Sequence, residues 1–164
     1  MVEKYKKLVL IIVLILTLLI NLILFDLFIL PKKTIKDTIV SYKELFFQGK
    51  FGGKSLISYH FTTHKGFDFS TEGYFINEGK ISISYTPIFR NVTKVRSDET
   101  DYSNKLISDL NSIIIYFYLI MFVSLNISVL YLLFDKNLSE NKLQNIINFN
   151  LIMLFFIFII NVYF

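Results

Sequence analysis

The sequence predicts an α+β membrane protein: three transmembrane helices, with a small antiparallel β-rich soluble domain inserted between helices 1 and 2. Three observations carry that reading. The 164-residue chain is 54% hydrophobic with a mean hydropathy of +0.55, more than a soluble domain reaches while still covering its surface with polar groups. The excess falls in three blocks, 8–30, 113–134 and 146–164, each near the ~20 residues that a bilayer crossing needs. All six Gly, both Pro and both His lie between Pro31 and Arg96, and such a shift in composition marks a separate domain.

The first element is a short basic tail, 1–7, with Lys4, Lys6 and Lys7. The apolar block 8–30 follows, interrupted only by Thr17, Asn21 and Asp26. It exceeds the ~7–15 residues of a signal-peptide core and precedes no small-x-small cleavage site, so it reads as an uncleaved anchor. Pro31 ends it, and Lys32 and Lys33 fix it at the interface.

Residues 31–96 read as the β-rich domain. Lys80–Thr86 alternates Ile81, Ile83 and Tyr85 against Ser82, Ser84 and Thr86, the period of a half-buried strand. Ser55–Thr63 alternates too, setting Tyr59 and Phe61 against a Ser58, His60 and Thr62 face assigned to solvent. Ile88–Val95 supplies a further strand, Glu78-Gly79 a turn, and Gln48–Lys54 a Gly-rich turn. Thr38–Phe47 is ambiguous. Thr34 and Asp37 could form a capping box, but the β-branched content favours a strand. The expectation is four or five antiparallel strands around an aromatic core, as a small sheet or open barrel.

Residues 97–134 read as one long helix. Ser97 is a good N-cap, Asp98, Glu99 and Asp101 suit the first turn, and Asp101 and Lys105 are spaced i,i+4. No Gly or Pro interrupts the run into the second span, 113–134. A polar linker, 135–145, then leads to the third span, 146–164, so helices 2 and 3 form an antiparallel hairpin.

No Gly lies in a span, which removes the Gly-x-x-x-Gly packing mode. The polar residues inside the spans then become the candidate contacts. At ~1.5 Å per residue, Asn21 and Asn161 lie roughly 20–22 Å deep, and Thr17 and Asn126 roughly 12–14 Å. Two hydrogen-bonded layers between helices are expected, the alternative being a polar pathway through an oligomer. A pathway calls for ionisable groups at mid-depth, and the one in a block, Asp26, falls near the interface within reach of water.

Other chemistry is disfavoured. The chain has no Cys, which excludes disulfides and thiolate sites. Between Pro31 and Leu110, 12 Lys/Arg against nine Asp/Glu leave a net +3, spread rather than clustered, so no nucleic-acid groove is expected. Gly49–Ser55 resembles a phosphate-binding loop, but Gln48 stands where its first Gly belongs. His60, His64 and Asp68 have ligand-like spacing, yet Gly66 breaks the run and surface histidines are the better reading. Neither a metal, a cofactor nor an enzymatic site is expected. No Ala and only two Arg against 15 Lys reflect codons rich in A and T, as in low-GC bacterial genomes.

Charge flanking the first span slightly favours a cytoplasmic N-terminus, an exported domain and an exported C-terminus. The resulting expectation is a non-catalytic multi-pass protein of the cell membrane. Its β-domain would bind a protein partner or assemble with copies of itself, in an accessory or immunity-type role. A pore or transport oligomer, or an effector with a cytoplasmic sensing domain, is the alternative.

Overall fold

A computed structural model describes residues 2–48, 53–107, 110–111, 114–135 and 138–163, with the backbone alone at 2–4 and 161–163. The chain divides into two compact units, one of Met1–Phe28 with Ile114–Tyr163, the other of Ile29–Ile113.

The helical unit holds α1 (Val2–Phe28), α2 (Ile114–Phe134) and α3 (Glu140–Tyr163). All three are long and apolar enough to cross a membrane. Their contact faces bury Val13, Ile20, Leu24, Met121, Leu125, Leu132, Met153 and Ile157. The remaining faces stay apolar: Leu18 is 69% exposed and Phe158 67%. A helix that is apolar all round belongs in a core or in lipid. At the α2–α3 turn, the Lys6 ammonium donates to the Asp135 carbonyl at 2.8 Å, and Lys142 pairs with Asp135 at 3.2 Å.

The connection between α2 and α3 is shorter than expected. Helix α3 starts at Glu140 rather than near Ile146. Ser139 caps it, its hydroxyl accepting from the Lys142 amide at 3.3 Å while Glu140 sits in the first turn. The polarity of 140–145 conceals a helix whose start is set by a Ser cap and the dipole rather than by hydropathy.

The second unit is a five-stranded antiparallel sheet: β1 (Lys33–Gln48), β2 (Lys54–Thr63), β3 (Asp68–Glu72), β4 (Lys80–Tyr85) and β5 (Val92–Arg96), in the order β3-β2-β1-β4-β5. Strand β1 is the spine. Its first part, Lys33–Thr38, pairs with β4, and Ile39–Gln48 pairs with β2 across a bulge between Ile39 and Ser41. Bulges bend and twist a strand, which lets one strand serve both halves of the core. That core joins Phe61, Phe67, Phe69, Ile81, Ile83, Val92 and Val95. Phe61 stacks on Phe69 at 5.3 Å.

Two strands differ from expectation. Asp68–Glu72 forms β3 although no strand is read there; it is short and lies between Gly66 (φ +74°) and Gly73 (φ +64°), which make its turns. Strand β5 begins at Val92, not Ile88, because Thr86–Asn91 is a closed turn in which the Thr86 hydroxyl accepts from the Asn91 amide. Arg90 there takes φ 59° and lays its guanidinium over Phe67 at 4.4 Å.

The expected helix from Asp98 to Phe134 does not form, and α2 starts at Ile114. Ser97 does cap: its hydroxyl accepts from the Glu99 and Thr100 amides. The turn then closes on itself, Ser97 N–H donating to the Thr100 carbonyl. Asp101 turns back to bridge Arg96 at 2.7 Å, and Lys105 lies over the Tyr74 ring instead of pairing with Asp101. What outweighs helix propensity is burial, because Tyr102 and Leu106 complete the sheet's core.

The 101–107 segment thereby acts as a strap. At one end Tyr102 N–H donates to the Val95 carbonyl on β5; at the other Ile107 N–H donates to the Ser70 carbonyl on β3, beside a Thr71–Leu106 bridge. Both outer edges of the sheet are covered. Leu106→Ala should therefore destabilise the sheet unit by about 2–5 kcal/mol, as a buried core truncation. Chemical denaturation would read it; a loss under ~0.5 kcal/mol, the usual surface value, would place Leu106 on an exposed helix instead.

Candidate functional site

Among the described residues, three stretches of strand have a ladder partner on one side only: Lys33–Thr38 and Lys43–Gln48 of β1, and Lys54–Ile57 of β2. Residues 33–38 of β1 are flanked by β4, and 39–42 lie beside 75–79, where the Ile39 amide donates to the Gly79 carbonyl at 2.9 Å. From Lys43 to Gln48, β1 has β2 on one side and no second ladder partner among the described residues. Strand β3 covers β2 only from Ser58 to Thr62. Phe46–Gln48 with Lys54–Ile57 is thus a two-stranded ribbon projecting past the sheet.

Its side chains are the unexpected part. Val40, Tyr42, Phe46 and Phe47 are 58%, 51%, 49% and 60% exposed. Tyr42 packs edge-on against Phe75 at 4.8 Å, and Phe75 in turn meets Tyr59 at 5.2 Å. Phe46 and Phe47 point to opposite faces, so no single packed layer could cover both. An isolated two-stranded ribbon is marginal in water, and an open apolar strand edge is a template for pairing with another chain.

The polar candidates within the apolar helices are not assembled as expected. The Thr17 hydroxyl donates to the Val13 carbonyl at 2.7 Å, Asn21 to the Thr17 carbonyl at 2.7 Å, and Asn126 to the Phe122 carbonyl at 2.8 Å. Each bond runs back along its own helix, so Thr17 and Asn126 form no layer between helices. The Asn161 side chain lies outside the described residues. A polar contact between α2 and α3 lies instead at Asn150, which was not among the expected residues. It accepts from the Ser124 hydroxyl and donates to Ser128, both at 2.9 Å, with its amide also reaching the Ile146 carbonyl. The Ser-x-x-x-Ser spacing on α2 was the signal, since small residues let helices approach. Asp26, expected within reach of water, is fully buried and partnered.

The histidines part company. Both His60 nitrogens meet hydroxyls, Ser58 at Nε2 (3.0 Å) and Ser70 at Nδ1 (2.8 Å), with both serines buried. This corrects the solvent-facing assignment of that side of β2 for Ser58 and His60, though Thr62 is exposed. Burial, with the Lys43 charge adding to it, lowers the His60 pKa. His64 is exposed, and no group of three metal-binding side chains occurs among the described residues. The Gly49–Phe51 part of the loop-like motif, with Gly52, lies outside the described residues.

Carboxylates hold the strap and turns. Burial acts to raise the Asp37 pKa, but hydrogen bonds from Thr63 and the Thr38 and Lys65 amides outweigh it, and the net shift is downward. Glu78 is lowered by hydrogen bonds from Tyr102 first, whose hydroxyl donates at 2.8 Å, and by Ser97. Asp101 is lowered to about 2, mainly by Ser103 and then Arg96. The Tyr102 hydroxyl is correspondingly raised, by burial and then by Glu78.

Comparison of the chain with family models, with curated proteins and with solved structures gives no match.

All four depressed groups shift stability in one direction. A pKa below its unfolded value stabilises above that value and ceases to do so as pH falls through the folded one. The unfolding temperature of the sheet unit should be flat from pH ~7 to ~9, fall above about 10 as the raised Tyr102 hydroxyl ceases to stabilise, dip slightly below His60's ordinary 6.5 and fall from about 4 toward 2. Thermal scans across pH check this, and stability rising on acidification below pH ~7 would contradict it.

Proposed function

We propose that this chain is a non-catalytic integral membrane protein. In this reading α1, α2 and α3 span the bilayer, and the sheet unit binds a protein partner along the open edge of β1. The observation that carries it is the contrast between edges. The strap covers β3 and β5, while Lys43–Gln48, which carries the exposed Phe46 and Phe47, is paired on one side only, with β2, among the described residues. An extended segment with alternating apolar side chains suits such an edge: its backbone extends the ladder, and its side chains cover both faces. The partner is either another protein or a second copy of the chain.

The bilayer reading is supported by length and by the outward apolar faces of the helices. Flanking charge favours a cytoplasmic N-terminus and an exported sheet unit. The buried serines that meet both His60 nitrogens favour an accessory or immunity-type role over catalysis. The hydrogen bonds that Thr17, Asn21 and Asn126 make to their own helices favour a structural role for them over a conduit.

The test places a photoreactive phenylalanine analogue at Phe47, and separately at Lys94 on the far side of the sheet, in the full chain in its native membrane. A discrete protein product at Phe47 that is absent at Lys94, and that disappears with Phe46→Ser, is expected. No product at Phe47, or the same products from both positions, would contradict the proposal. Phe46 is half-exposed, so its replacement should cost folding no more than ~0.5 kcal/mol. In the same cells, Thr62→Cys should label with a membrane-impermeant maleimide; labelling only after lysis would put the sheet unit in the cytoplasm.

A further inference from the structure

A second feature of the sheet unit lies away from the open edge. The register sets Lys36 opposite Ser82 and Ser82 opposite Arg96, with Thr38 opposite Lys80 one rung along. Residues paired or two apart share a face, so Lys36, Lys80 and Arg96 stand on one side of the sheet around Ser82. Diagonal neighbours lie about 7–8 Å apart, and residues two strands apart about 10 Å. The β2–β3 turn adds a fourth cation. Its Lys65 amide donates to Asp37 at 3.1 Å, and its ammonium donates to the Lys36 carbonyl at 2.8 Å, which folds the turn over the rung. Ser97 and Asp98 complete the rim of a cleft of about 330 Å³.

The charges in this cleft do not balance. Lys36, Lys65, Lys80 and Arg96 face Asp37 and Asp98, with Asp101 paired to Arg96 from outside the lining, four positive against three negative. Asp37 is already spent on the Thr38 and Lys65 amides. Arg96 gives Nε to Asp101, leaving its two Nη groups without a hydrogen bond among the described residues. The Lys36 and Lys80 ammonium groups have no ion pair or hydrogen bond there either. Like charges close together across strands are destabilising, and a concave wall concentrates their field. Elsewhere the fold pairs such a group, as in Lys142–Asp135.

We infer that this cleft binds a phosphate-bearing group, held by Lys36, Lys80 and the free Nη groups of Arg96, with the Ser82 hydroxyl as a further donor. A tetrahedral, multiply charged anion suits three cations grouped around one hydroxyl, and the planar guanidinium fork matches its oxygens. The group belongs either to a soluble phosphorylated molecule or to an anionic lipid headgroup, and the chemistry is the same for both. This inference is independent of the strand edge, because none of its residues lies in Lys43–Gln48.

The experiment uses the full chain and two variants of equal charge change: Lys36→Glu with Lys80→Glu in the cleft, and Lys54→Glu with Lys94→Glu outside it. All four lysines are exposed. Pyrophosphate is titrated calorimetrically against each protein in phosphatidylcholine nanodiscs at low salt, where exposed charges are least screened. In parallel, native mass spectrometry counts phosphatidylglycerol retained after extraction from an equal mixture with phosphatidylcholine. Pyrophosphate binding weakened tenfold or more by the cleft pair alone supports a soluble phosphate ligand. Phosphatidylglycerol retention lost with the cleft pair alone, without pyrophosphate binding, supports a headgroup. If the cleft pair misfolds, Lys80→Gln alone should weaken the same signal severalfold. Cleft and control variants that behave alike in both assays overturn the inference.

Discussion

The sheet unit depends on one bent strand and one strap. Strand β1 carries β4 on one side of its first half and β2 on the other side of its second half. The bulge at Ile39–Ser41 allows the switch. Neither half alone encloses a core, since each is a three-stranded sheet with one apolar face. Their union around Phe61, Phe67, Phe69, Ile83 and Val95 becomes a closed core only when Tyr102 and Leu106 fill the remaining side. Burying two such side chains contributes on the order of 3–6 kcal/mol, enough to override a well-formed N-cap at Ser97 worth about 1 kcal/mol. The same strap covers the β3 and β5 edges. Its path, which never reaches Lys43–Gln48, is what leaves the β1 edge open.

The helical unit follows a different logic. Its buried face is narrow and its exposed face is as apolar as its core, so in a bilayer hydrophobic burial between helices would not be what holds it together. Shape and a few hydrogen bonds must serve. Neutral polar groups in α1 and α2 satisfy themselves one turn back along the helix. In a bilayer this would remove the cost of an unpaired group in a medium without water. Asn150 is different, because its amide bridges to two serines of the neighbouring helix and so fixes which faces of α2 and α3 meet.

How much of this was legible in the sequence varied with the physics involved. Long apolar blocks identify α1, α2 and α3 because one-dimensional hydropathy is enough. Alternation identifies β2 and β4, whose Ile and aromatic residues face a core. The segment after Arg96 misleads because capping and charge are local signals, while the burial of Tyr102 and Leu106 is a long-range one. Strand β3 escapes because five residues between two glycines carry too little pattern. The start of α3 at Glu140 is hidden by polar residues that a hydropathy scan discards, although Ser139 marks it. Depth arithmetic paired Thr17 with Asn126 by height alone, and height does not say which way a side chain turns. The open edge could not be read at all, since an unpaired strand is defined by what the rest of the chain leaves uncovered.

Amide hydrogen exchange on the full chain in nanodiscs tests the closed-sheet, open-edge arrangement most directly. The Tyr102 and Ile107 amides, bonded to Val95 and Ser70, should exchange slowly and together with β3 and β5. Within Lys43–Gln48, amides facing β2 should be protected while their alternate neighbours exchange fast. Uniform protection from Asp98 through Asn111 in the pattern of a continuous helix would contradict the strap. Uniform protection along Lys43–Gln48 in the isolated chain would contradict the open edge.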